Sequence, residues 1–123
     1  MTPKQLVQAY WQAMQTNEFR KATDFLTEDC EIYWPQSNEL IIGRDNFIKI
    51  NENYPSDGLW EFKINSIICE VNEVVTDVSV TNGKLKARAI TFHTVRSQLI
   101  HRQKEFWPDN FSAPEWRKLW VKV

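Results

Sequence analysis

Apolar residues recur with helical spacing near the start of the chain and alternate with polar ones through its second half. Leu6, Val7, Tyr10, Ala13 and Met14 form a stripe that one helix face can bury. Thr2 supplies a side-chain cap, and Pro3 suits the first helical position. Phe19, Ala22, Phe25 and Leu26 repeat the pattern over 18–27, so a second short helix is expected after a break near Thr16-Asn17. Cys30–Trp34 reads as a strand stopped at Pro35, which has no N–H for a ladder. Gln36–Glu39 reads as loop. Gly43-Arg44-Asp45 leads into a third helix carrying Phe47, Ile48, Ile50 or Asn51, and Tyr54, ended by Pro55 and Gly58.

Four long strands are expected next, at about 59–70, 73–81, 84–96 and 99–107. Asn82-Gly83 is a strong hairpin signal between the second and third of them. Ser112-Ala113-Pro114-Glu115 matches the S-x-x-E capping pattern and predicts a short terminal helix, with Trp116 and Trp120 one turn apart as its packing residues. Helices first and a meandering sheet afterwards make an α+β fold, one domain over 1–123, with a curved mixed or antiparallel sheet wrapped around the N-terminal helices. One covered sheet face leaves room for a hollow between sheet and helices.

Charge decides which face of the last hairpin lines that hollow. A two-residue turn at Ser97-Gln98 would set Arg102 and Lys104 beside Ala89 and His93. A three-residue turn, Arg96-Ser97-Gln98, groups them with Arg88 instead. Unpaired buried cations cost several kcal/mol, so the three-residue turn is expected. The inner wall is then Ala87, Ala89, Thr91, His93, Gln103, Glu105 and Trp107. The outer face mixes Arg88, Arg102 and Lys104 with Ile90, Phe92 and Phe106. Large apolar residues on an open sheet face predict a partner, and a homodimer through that face is expected.

Composition narrows the classes. Six Trp, seven Phe and three Tyr in 123 residues suggest a core or cavity lined by large flat side chains. With three Gly there is no phosphate-cradling loop, and a net charge of −1 gives no global attraction for nucleic acid. Cys30 and Cys69 are isolated and read as reduced, mostly buried thiols of a cytoplasmic protein. Neither a leader-like apolar segment nor a membrane-spanning run is expected. No ligand spacing surrounds His93 or His101, so neither metal nor cofactor is expected.

The candidate chemistry centres on Glu105-Phe106-Trp107. Alternate strand residues share a face, so Glu105 and Trp107 point the same way. A carboxyl buried against an indole has its pKa raised and can act as general acid or base near neutral pH. The competing reading is an ion pair between Glu105 and Arg117 that fixes the tail. His93 could pair with Glu105 in proton transfer or be a satisfied core histidine, whereas His101 near the hairpin end is expected to be exposed. Tyr10 could offer its hydroxyl to a ligand carbonyl or be a core aromatic. Trp34, Trp60 and Trp107 would shape an aromatic slot, with Met14, Thr91 and Gln103 on its walls.

The order of helices, the strand ending in Trp34-Pro35, the Gly43-Arg44 helix, Glu105-Phe106-Trp107 and Trp116-Arg117 resembles the SnoaL-like branch of the nuclear-transport-factor-2-like superfamily. The resemblance covers nearly the whole chain and implies a cone-shaped, cystatin-like sheet. It does not fix the function, because this superfamily holds isomerases, polyketide cyclases, dehydratases and binders. Compared with ketosteroid isomerase, Tyr10 takes the place of that enzyme's oxyanion-binding Tyr. Trp34 stands where its Asp base would be, and Thr91 near its second acid. An indole accepts no proton, which disfavours steroid isomerisation by that route. The expectation is a cofactor-independent isomerase, cyclase or dehydratase acting on a hydrophobic cyclic or carbonyl compound. The alternatives are a non-catalytic binder of a small apolar molecule and a dimeric interaction module.

Overall fold

Thr2 Oγ1 accepts from the Gln5 amide (3.1 Å) while Gln5 Oε1 accepts from the Thr2 N–H (3.0 Å). This reciprocal cap opens helix α1, Pro3–Gln15, in a computed structural model that describes all 123 residues. Leu6, Val7, Tyr10, Trp11 and Met14 are the buried face of α1. Asn17 ends the helix in the left-handed region (φ 60°). Its carboxamide clamps the Trp60 backbone, donating to the carbonyl (2.7 Å) and accepting from the N–H (2.8 Å).

The second helix is shorter than its apolar stripe predicts. Helix α2 covers only Phe19–Ala22, a 3₁₀ turn follows at Thr23–Phe25, and strand β1 already begins at Leu26 and runs to Trp34. Leu26 is fully buried opposite Ile100, so strand pairing outweighs the helical period at that residue. A second difference is strand β2, Glu39–Ile42, which pairs with β1 across a turn containing Asn38 at φ 58°. Four residues with only Ile41 buried give too weak an alternation to read as a strand. Gly43, at φ 86°, then turns the chain into helix α3, Arg44–Asn53.

Strands β3 (Glu61–Glu70), β4 (Glu73–Thr81), β5 (Lys86–Arg96) and β6 (Leu99–Phe106) form an antiparallel meander. Asn82-Gly83 lies in a four-residue loop rather than a two-residue turn, because Thr81 pairs with Lys86. Asn82 Oδ1 accepts from the amides of Lys84 and Leu85, closing that loop locally. The six strands lie in the order β2-β1-β6-β5-β4-β3, with β1 and β6 parallel and every other pair antiparallel. The sheet is therefore mixed, curved and unclosed, with the helices on its inner face.

The β5–β6 turn departs from expectation by its mechanism and agrees in its result. Arg96 pairs with Leu99, so the turn is the two residues Ser97 and Gln98, both at positive φ (51° and 67°). Val95 then pairs with Ile100 but Thr94 with Arg102, leaving His101 as an extra residue in a bulge. The bulge shifts the register by one, and Arg102 and Lys104 end on the outer face while Gln103 and Glu105 are buried. Arg102 meets Glu31 (2.9 Å), and Arg88 meets Asp77 through two bonds (2.6 and 2.8 Å). Outside, a cross-strand row runs Ile68, Val75, Phe92, Lys104, Tyr33, Leu40 over all six strands. No helix covers it.

The tail also differs. Glu115–Trp120 is a 3₁₀ segment following Pro114, without a side-chain cap and without a buried residue. Trp116 and Trp120 are exposed rather than packed. Cys30 is buried as expected, but Cys69 is exposed; both are free thiols. No helix is long and apolar enough to cross a membrane.

Candidate functional site

Between α1, α3 and the inner face of the sheet lies a cavity of about 80 Å³, open at the end where β1 and β6 stop. Tyr10 and Met14 reach it from α1, Trp34 from the end of β1, Gln103, Glu105 and Trp107 from β6 and just beyond, and Trp60 from the segment clamped by Asn17. Most of the remaining wall is apolar, including Trp11, Phe47 and Phe62. Trp11, Phe47, Phe62 and Tyr54 were not singled out from the sequence as wall residues. Trp11 falls one position after Tyr10, on the same broad stripe, and Phe47 and Tyr54 lie on the stripe of the third helix, so these three carry a helical signal though none for the cavity.

Glu105 is buried and has no cation near it. Its Oε1 accepts from the Trp34 indole N–H (3.1 Å) and its Oε2 from the Thr91 hydroxyl (2.7 Å), the residue directly across the ladder. Burial raises the carboxyl pKa; the hydrogen bonds from Thr91 and Trp34 favour the anion but do not offset it. Arg117 does not reach Glu105. Its guanidinium stacks on Trp116 in the exposed segment, 5.6 Å from the ring centroid. The ion-pair reading is thereby corrected: a tail that buries nothing cannot place a cation in the core.

Tyr10 is fully buried, with its phenol held far above its ordinary pKa by burial and then by the Glu105 charge. The Gln103 amide lies beside that hydroxyl and, like Glu105, belongs to the polar end of the cavity. A phenol O–H, an amide and a carboxyl thus converge at one end of an aromatic slot. Such a set can donate to a ligand oxygen and exchange a proton with a neighbouring atom.

His93 and Thr91 do not line the cavity. His93 is enclosed by Tyr10 and Trp11, whose rings stand edge-on at 6.0 and 6.2 Å. Trp11 donates to Thr76 Oγ1 (3.2 Å), and Thr76 lies against His93 Nε2 (2.8 Å). Burial pushes the His93 pKa down to about 3, so the ring is neutral. The Thr76 and Trp11 partners were not foreseen, since nothing in the sequence marks a contact across 17 or 65 positions. His101 is half-buried, not exposed, held between Thr27 (3.2 Å) and Arg96 (3.3 Å) by the bulge that carries it.

None of the curated proteins matches the chain by sequence. A candidate ketosteroid isomerase from Kribbella flavida superposes with a TM-score of 0.90 at 24% identity, covering 98% of this chain and 88% of that one. A nuclear-transport-factor-2-like protein of unknown function from Burkholderia xenovorans gives 0.82 at 26% identity, over 98% and 94%. An LEH-like epoxide hydrolase from M. tuberculosis gives 0.69 at 17% identity, over 86% and 82%. Residues 7–103 match the SnoaL-like domain, and the chain belongs to that family.

Proposed function

We propose that the cavity binds a hydrophobic, oxygen-bearing small molecule and moves a proton on it without a cofactor. The reaction class is that of an isomerase, cyclase or dehydratase. Glu105 takes a proton from carbon beside a carbonyl and returns it to the product, while Tyr10 donates to the oxygen that gains charge. A carboxyl whose pKa is raised by burial is a stronger base when ionised than one in water. Trp34 and Trp107 flank the ligand, with Gln103, Met14 and Trp60 completing its surroundings.

One observation carries this reading: Glu105 is buried at the polar end of an apolar cavity with only neutral donors for company. A structural carboxylate is normally buried against a cation, because removing one charge from water alone is costly. Structural neighbours that include a candidate ketosteroid isomerase and an epoxide hydrolase support small-molecule chemistry in this fold. Trp34 at the end of β1 fills space and holds Glu105, which favours a ligand smaller than a steroid.

A thermal-shift screen of cyclic ketones, polyketides, steroids and fatty acids identifies the ligand class. With a turned-over ligand in hand, Glu105→Gln should lower kcat by 100-fold or more and Tyr10→Phe by about 10-fold, with binding retained. Wild-type rates in Glu105→Gln would end the catalytic reading. The non-catalytic alternative rests on Trp34 as the residue in place of a base. It predicts that ligands shift the melting temperature and emerge chemically unchanged. The uncovered outer face also supports pairing of two chains through Ile90, Phe92 and Phe106, with Arg88 and Arg102 at its margin.

A further inference from the structure

The strongest feature unused by the cavity is the C-terminal segment. Trp116, Leu119 and Trp120 are 73%, 89% and 76% exposed, and the 3₁₀ turn that carries them buries no residue of its own. Two indoles and a leucine held in water forgo the stabilisation that burying them would bring. A matching surface exists at the cavity mouth. Tyr54, Leu59 and Leu85 are large, apolar and half-exposed or more, and Tyr54 and Leu85 belong to the cavity wall itself.

Charge fits the same pairing. Around the mouth Glu52, Asp57 and Glu61 outnumber Lys84, which pairs with Asp57 at 3.0 Å. The segment Ser112–Val123 carries Arg117, Lys118 and Lys122 against Glu115, with Lys118 paired to Glu115 at 2.9 Å. Apolar residues are thus matched by apolar residues, and the bases Arg117 and Lys122 by the acids Glu52 and Glu61. In the single chain the tail leaves from Trp107, at the edge of the mouth, and Glu115–Trp120 buries no residue against its own body. Trp116, Leu119 and Trp120 are thus free to seat on a second copy.

We infer that two chains exchange their C-terminal segments, each seating Trp116, Leu119 and Trp120 over the partner's cavity mouth. The proposal stands independently of what the cavity binds. It makes the site complete only in the dimer, with an aromatic lid from the other chain. The area is sufficient. Two indoles and Leu119 hide on the order of 500 Å². The surface beneath them and the symmetric second exchange raise the total to roughly 2,000 Å², the range of stable dimers.

The test mixes ¹⁵N-labelled and unlabelled full-length chains, refolds them together, and joins carboxyls to amines with a carbodiimide. The expected products are peptides linking Lys118 or Lys122 to Glu52, Asp57 or Glu61 with one heavy and one light half. Light scattering should give twice the chain mass for wild type and a shift toward one chain mass for Trp116→Ser/Trp120→Ser. Both sites are exposed in the single chain, so the fold should survive the change. Tail-to-mouth links only within one isotope would overturn the exchange in favour of closure on the chain's own body. A dimer mass without any tail-to-mouth link would also overturn it and leave the outer sheet face as the contact. A monomeric wild type removes it outright.

Discussion

Glu105 and His93 tie stability to pH in opposite directions. The folded pKa of Glu105 is raised by burial, so its contribution is complete below the ordinary glutamate value near 4.3 and is lost as pH rises through the folded value. The folded pKa of His93 falls to about 3, so its contribution is complete above about pH 6.5 and is lost as pH falls. Melting temperatures from pH 4 to 8 should therefore show Glu105→Gln gaining on wild type as pH increases. A constant offset would mean that the carboxyl titrates alike in both states. For His93→Gln the acid-side slope should ease by up to about 1.4 kcal/mol per pH unit, the value for one proton. At this scale the sequence showed much of the polar end. Thr91, Gln103 and Glu105 were placed on one wall because the alternative would bury Arg102 and Lys104. The core partners of His93 were invisible, because hydrogen bonds between distant strands and helices leave no local pattern.

Turns set how the elements meet, and two of them lend themselves to measurement. Asn17 combines a left-handed backbone with two bonds to Trp60, so it both ends α1 and positions a wall of the cavity. Asn17→Ala should cost about 2–3 kcal/mol in urea unfolding, and Asn17→Gly less, since glycine keeps the conformation and loses only the clamp. Val71, in the β3–β4 turn, holds φ 54°, where a β-branched side chain is strained. Val71→Gly should stabilise by about 1 kcal/mol; an unchanged unfolding midpoint would mean that the strain is absent in solution. Helices and long strands were legible from period and caps. The short β2 and the start of β1 were not, because Leu26 satisfies a helical stripe and a strand equally until Ile100 is beside it. The Ser97-Gln98 turn has neither glycine nor asparagine, and nothing local announces the compensating bulge at His101.

Across the whole molecule, the uncovered row from Ile68 to Leu40 is the surface on which two chains would pair without exchanging tails. In that case light scattering at micromolar concentration should report two chains for wild type and for Trp116→Ser/Trp120→Ser, and a shift toward one for Phe92→Glu. A monomeric wild type would remove sheet-face pairing. The fold class and the hollow were readable because helices precede a meander and large aromatics are abundant. Tail packing was not readable, since Trp116 and Trp120 at one-turn spacing look the same whether they cover their own body or another. The strand order has a further consequence. Strand β6 sits between β1 and β5, so β1 gains its second sheet neighbour only from residues synthesised near the end of translation. During synthesis α1 can already pack on β3 through Trp11 and Phe62, but the β1–β2 hairpin keeps one edge unpaired until about Gln103 clears the ribosome. Chaperone demand should therefore concentrate on nascent chains, and a stop codon anywhere before β6 should yield an aggregating fragment rather than a smaller stable fold.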